Sequence, residues 1–137
     1  MNSINYHISN SLSELDKISE IIEKVFGHFS IDSQYEFNIR LCLDEILTNT
    51  ITYGYPDEKR GEIELEFRFD TPSLYLKISD DAVEFNPLTV AEPDLNSVIE
   101  ERKIGGLGIY FVRKLTKSQH YERKSGKNVL SLEFSVV

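Results

Sequence analysis

The chain has no tryptophan, a single methionine and a single cysteine among its 137 residues. A lone Cys42 can close no internal disulfide and furnish no half of a zinc site, so a reducing, cytoplasmic setting is expected. No run of eighteen apolar residues occurs. The opening Met1-Asn2-Ser3-Ile4-Asn5-Tyr6 also lacks a basic segment leading into an apolar one. Neither a membrane span nor a secretory leader is therefore expected. The histidines His7, His28 and His120 stand at no metal-ligand spacing, and no Ser-His-Asp or Cys-His signature is present. Surplus positive charge is missing too: 15 Lys/Arg against 23 Asp/Glu give −8, which argues against a general nucleic-acid binder.

What remains is enough for one compact domain over 1–137. With 40% hydrophobic and 28% charged residues, the chain can bury a core and still keep a solvated surface. Its charge is unevenly spread. Residues 1–100 hold 7 Lys/Arg against 20 Asp/Glu, and residues 101–137 hold 8 against 3. A basic C-terminal quarter could lie beside the phosphates of a small ligand, or could simply be a solvated face.

Periodicity sets the element order. Ile4, Tyr6 and Ile8 alternate with polar residues, predicting a short strand. Ser11 with Glu14 reads as a capping box, and Leu15, Ile18, Ile22 and Val25 as one helix face that Gly27 ends. Ser33 with Glu36 predicts a second cap, for a helix to about Thr52 whose apolar side includes Phe37, Ile39, Leu43, Ile46 and Leu47. Glu62–Phe69 alternates strictly, and Leu74, Leu76 and Ile78 repeat the pattern after Asp70-Thr71-Pro72-Ser73, predicting an antiparallel hairpin. From Asp80 to Gly105 periodicity is lost, which in a small domain marks a functional or mobile loop. A helix follows from Gly108, with Ile109, Val112 and Leu115 as its stripe. After Gly126 comes a last strand carrying Leu130, Leu132, Phe134 and Val136. The order β-α-α-β-β-(loop)-α-β predicts an α+β fold, a two-layer sandwich with helices on one face of a mostly antiparallel sheet.

Three groups of residues could carry chemistry. Glu45 and Asn49, at i and i+4, share a helix face. A carboxylate there can serve as a general base, and an amide oxygen can bind Mg²⁺. On spacing alone, two residues solvating a helix face is the stronger reading. Asp80 and Asp81 follow a strand, where a carboxylate can accept from an exocyclic amino group or simply begin a turn. Gly105-Gly106-Leu107-Gly108 precedes a helix, so its backbone can approach anionic oxygens. Arg102, Lys103, Arg113 and Lys114 surround it.

Taken in order, Leu43-Asp44-Glu45-Ile46-Leu47-Thr48-Asn49, Ile78-Ser79-Asp80-Asp81, Phe85-Asn86-Pro87-Leu88 and Gly105-Gly106-Leu107-Gly108-Ile109 resemble the GHKL ATP-binding fold, the histidine-kinase-type ATPase fold. Within it the chain is most similar to the stand-alone anti-sigma regulatory factor serine/threonine kinases. The segments Glu92–Leu95, Glu101–Gly108 and Asn128–Leu132 share that likeness.

The resemblance implies ATP held between the helical layer and a lid spanning 84–104. It implies Asn49 as the Mg²⁺ ligand, Glu45 as the base for a substrate hydroxyl and Asp80 as the reader of the adenine amino group. Arg102, Lys103, Gly105, Gly106, Leu107 and Gly108 would attend the phosphates. Ser131 falls where the family has a threonine holding an adenine-side water. Implied partners are a small anti-anti-sigma (STAS-type) protein as substrate and a sigma factor, with a homodimer as the family habit. A different class of function stays open, a nucleotide-gated interaction module without phosphotransfer. The chain departs from the family pattern at Ala82 and Glu84, where glycines follow the aspartate, and at Ile104, where an arginine tends to precede the glycines.

Overall fold

In the computed structural model, residues 3–56, 59–89 and 106–137 are described. Five strands, β1 (Ser3–Ser9), β2 (Glu62–Asp70), β3 (Ser73–Asp80), β4 (Ser118–Lys124) and β5 (Lys127–Ser135), form one sheet in the order β1-β2-β3-β5-β4. Every neighbouring pair is antiparallel. Three helices, α1 (Ile18–Phe29), α2 (Glu36–Tyr53) and α3 (Gly106–Leu115), complete the two-layer α+β sandwich that the periodicity predicts.

The alternation explains why the helices cover one face only. Ile63, Leu65 and Phe67 of β2, Leu74, Leu76 and Ile78 of β3, and Leu130, Leu132 and Phe134 of β5 are buried and turn the same way. Glu64, Glu66, Arg68, Lys77 and Ser131 occupy the alternate positions and are only half-buried. Onto the apolar face α1 lays Ile18, Ile21, Ile22, Val25, Phe26 and Phe29, and α2 lays Ile39, Cys42, Leu43, Ile46, Leu47 and Ile51. Each fully buried large aliphatic contributes roughly 1.5–3 kcal/mol through removal from water.

Several local expectations differ in detail. Ser11 makes no capping bond; Glu14 instead reaches back to the Ser9 amide at 3.1 Å, and Leu12–Lys17 is a 3₁₀ turn ahead of α1. Asp32, not Ser33, caps the turn before α2, accepting from the Gln34 amide at 2.9 Å. Gly27 lies inside α1, which runs on until Ser30 takes a left-handed conformation (φ 56°) and donates to Phe26 O. Phe37 is exposed rather than part of the apolar side of α2. Strand β4, unforeseen, reads Ser-Gln-His-Tyr-Glu-Arg-Lys. As an edge strand with little buried surface, it has no need of apolar alternation.

One cluster fixes the layers to each other at the site end. The Tyr55 hydroxyl, just past α2, donates to Asp81 Oδ1 at 2.7 Å, and the Glu62 amide at the start of β2 donates to the same oxygen at 3.1 Å. Asn10 clips the neighbouring loop, donating to Lys59 O at 2.7 Å and accepting from Gly61 N at 3.1 Å. Gly61 must lack a side chain, because a Cβ there would lie 2.1 Å from Tyr55 Cε1. Partial burial pushes the Asp81 carboxyl up, but the bonds from Tyr55 and Glu62 prevail and hold it below its ordinary value.

Tyr55→Phe is expected to cost about 1 kcal/mol at neutral pH, one hydrogen bond with its acceptor left behind. Because the folded pKa of Asp81 is lowered, its stabilisation is present above the unfolded value and lost as pH falls through the folded one. The gap between wild type and Tyr55→Phe, read by urea titration, therefore narrows below about pH 4. A separate test concerns Cys42, which is fully buried with its thiol pushed up to about 12 by desolvation. An aromatic disulfide reagent at pH 8 is expected to leave it unmodified in the native protein and to react on denaturation.

Candidate nucleotide site

A cavity of about 340 Å³ opens between α2 and the sheet at the end of β3. Asn49 and Tyr53 of α2 form one wall, and Ala82–Phe85 form another. Asp80 and Asn128, paired across β3 and β5, form its floor beyond the apolar Ile78 and Leu130.

Asp80 is a carboxylate taken out of water, with only 6% of its surface exposed. Its Oδ1 accepts from Asn128 Nδ2 at 2.8 Å and from the Ala82 amide at 3.1 Å. Its other oxygen has no hydrogen-bond donor among the described residues. Desolvation raises its pKa, the bonds from Asn128 and Ala82 oppose that rise, and the Asp81 charge adds to it. An apolar slot ending in a buried carboxylate with one uncommitted oxygen fits a flat heteroaromatic ring carrying an amino group.

The wall beyond Asp80 carries Ala82 and Glu84 where the resemblance leads one to expect glycines. Val83 N donates to Gly54 O at 2.9 Å, docking the segment onto the end of α2. A Cβ on Gly54 would lie 2.7 Å from the Ala82 methyl, so Ala82 occupies room that Gly54 leaves. Arg123 of β4 donates to Ala82 O at 3.0 Å. Glu84 is exposed at the cavity edge.

Asn49 and Asp80 are thus brought to one cavity. Glu45, half-buried one turn before Asn49 on α2, is not among the residues lining it. Asp44 beside it has its carboxyl raised by burial, with Arg40 opposing and Glu45 adding. Helix α3 begins at Gly106, two residues earlier than its periodicity indicated, so Gly106, Leu107 and Gly108 form its first turn. Arg102, Lys103 and Gly105 lie outside the described residues, as does the part of the expected lid beyond residue 89. Of the other nearby bases, Arg113 donates to Leu88 O and Lys114 lies 5.4 Å from the centre of the Tyr110 ring. Arg113 is thereby held to a local contact, and Lys114 is exposed.

Ser131 is corrected. It sits on the outer face of β5, paired with Lys77 and His120, and is not part of the cavity. The polar residue beside Asp80 is Asn128, three positions earlier. Its signal was legible: a polar residue in phase with the apolar stripe Leu130, Leu132 and Phe134.

Among the described residues no three His, Cys, Asp or Glu side chains converge as a metal site. Mg²⁺ in nucleotide sites keeps most of its waters and takes one or two protein oxygens plus substrate phosphates. The Asn49 amide oxygen is one of the oxygen groups lining the cavity, together with the carboxylates of Asp80 and Glu84.

Known proteins are similar to this chain in sequence and fold. The chain is 26% identical to the serine/threonine-protein kinase BtrW of Bordetella bronchiseptica over 100 residues, covering 73% of this chain and 70% of that one. It is 23% identical to the serine-protein kinase RsbW of Listeria monocytogenes, covering 71% of this chain and 64% of that protein. The RsbW relatives are thus spanned over less than two thirds of their length. Among solved structures, the RsbU and RsbW domains of Rv1364c from Mycobacterium tuberculosis superpose with a TM-score of 0.68 at 10% identity, over 99% of this chain and 33% of that one. The catalytic domain of the histidine kinase ThkA gives 0.54 at 12% identity over 99% and 98% of the two chains. These likenesses bear out the fold. Residues 8–134 match the histidine kinase-like ATPase domain, and the chain belongs to that family.

Proposed function

We propose that the chain binds ATP in this cavity and transfers its γ-phosphoryl group to a serine or threonine of a small STAS-type anti-anti-sigma protein. In the antagonist's absence it would bind a sigma factor. The observation that carries the nucleotide part is Asp80, buried at the cavity floor with one oxygen uncommitted. The serine-kinase names of the BtrW and RsbW relatives support the transfer part.

Under this reading each residue has a task. Asp80 accepts a hydrogen bond from the exocyclic amino group of adenine, while the apolar walls take the ring faces. Asn49 would hold Mg²⁺, which when bound would neutralise phosphate charge. Phosphoryl transfer asks chiefly for positioning and charge neutralisation. The first turn of α3, with Gly106 and Gly108, offers amide donors to phosphate oxygens. Glu45 takes the proton of the attacking hydroxyl from its place one turn along α2.

One observation favours the gated-module alternative: Glu45 stands outside the lining of the cavity. The two readings separate on transfer. Under the kinase reading, Glu45→Ala is expected to keep ATP affinity near wild type and to slow single-turnover phosphorylation of the antagonist roughly a hundredfold to ten-thousandfold. Asn49→Ala should weaken Mg-ATP binding and transfer together. Transfer at the wild-type rate by Glu45→Ala removes it as the base. No transfer by wild type leaves the gated module.

Asp80→Asn tests the base contact. Replacing a charge-assisted acceptor by an amide is expected to weaken ATP about tenfold to a hundredfold, and GTP less. Calorimetry showing unchanged ATP affinity removes Asp80 from the site.

A further inference from the structure

We infer that Asn128 is a positioning residue that sets the base preference of the cavity. It selects which Asp80 oxygen meets the ligand and clamps the wall segment 83–85 beside it. The inference rests on the reading of Asp80 as the amino-group contact.

The Asn128 amide is 6% exposed and fully used. Its nitrogen donates to Asp80 Oδ1 at 2.8 Å and to Val83 O at 2.9 Å. Its oxygen accepts from Phe85 N at 3.1 Å and from the Tyr121 hydroxyl at 2.6 Å. Two donors and two lone pairs meet four partners, so the group has nothing left for a ligand. Nor can it turn over. Phe85 presents an N–H and Val83 a carbonyl, both backbone groups of fixed polarity. A flipped amide would set donor against donor and acceptor against acceptor.

That fixed orientation passes to Asp80. Its Oδ1 faces two donors, Asn128 Nδ2 and the Ala82 amide, and can only accept. The remaining oxygen, lacking any donor among the described residues, is therefore the one left for the ligand. When ionised it is a pure acceptor, matched to a 6-amino purine and repelled by a 6-oxo group. The wall is held by the same hand. Asn128 bonds Val83 and Phe85, and Arg123 bonds Ala82 O, so the β4–β5 hairpin fixes a segment that lacks the family's glycines. The charged and titratable groups facing this cluster are Asp80, Asp81, Glu84, Tyr121 and Arg123.

The test compares ATP and GTP dissociation constants by calorimetry at pH 7.5 for wild type, Asp80→Asn, Asn128→Asp and Asn128→Ser, with thermal melts to confirm folding. Asn128→Asp is isosteric but turns a carboxylate oxygen toward Asp80 and Val83 O. It is expected to raise the ATP constant about tenfold and the GTP constant less than about threefold, so that the preference contracts. Asn128→Ser, which leaves room for water, should contract it in the same direction. Equal proportional losses for both nucleotides, or an unchanged ratio in folded variants while Asp80→Asn contracts it, overturn the role of Asn128 and leave Asp80 standing. An unchanged ratio in Asp80→Asn overturns both.

Discussion

A carboxylate buried between two layers constrains everything around it. Asp80 sits where β3 ends and the sheet meets α2, and desolvation opposes its charge. A buried ion left without partners would neutralise or force the layers apart. Two donors on one oxygen make the position tenable, and both come from places the fold supplies. The Ala82 amide arrives because the chain bends directly after β3, and Asn128 because β5 pairs with β3 in a register that sets it opposite Asp80. Shifting that register by one residue would send Asn128 to the outer face along with every apolar residue of β5.

The sheet was legible where burial is one-sided. β2 and β5 alternate because one face packs on helices and the other meets water, and a two-residue period in the sequence records that. The edge strand β4 was not legible, since Gln119, Tyr121 and Arg123 face inward with no apolar stripe to mark them. Cap positions were misread for a different reason. Ser11 and Ser33 satisfy a local pattern, but Glu14 has Ser9 and Lys17 as competing partners and Asp32 supplies the acceptor that Ser33 was expected to give. A pattern lists candidates, and geometry selects among them.

The site was legible as an ordered set of residues and less so as contacts. Asn49 and Asp80 reach one cavity because helix period and strand end both aim them there. Ser131 was assigned by position along the family pattern, against the phase of its own strand, and the phase decided. The partners that complete the site, Asn128 and Arg123, come from the hairpin whose first strand left no signal. Long-range pairing is what places them: the phase of β5 marks Asn128 as inward-facing without naming its partners, and nothing local marks Arg123.

The contact between Gly54 and Ala82 bears on how such a chain can drift. A methyl at 82 is admissible only while 54 has none, since the two carbons would come within 2.7 Å. The reverse exchange is closed as well, because Thr50 O would lie 2.5 Å from a Cβ at 54 whatever stands at 82. Position 54 is therefore frozen and position 82 free to move between glycine and alanine. The methyl at the pocket wall therefore depends on the glycine at 54, and removing it would leave position 54 as closed to a side chain as before.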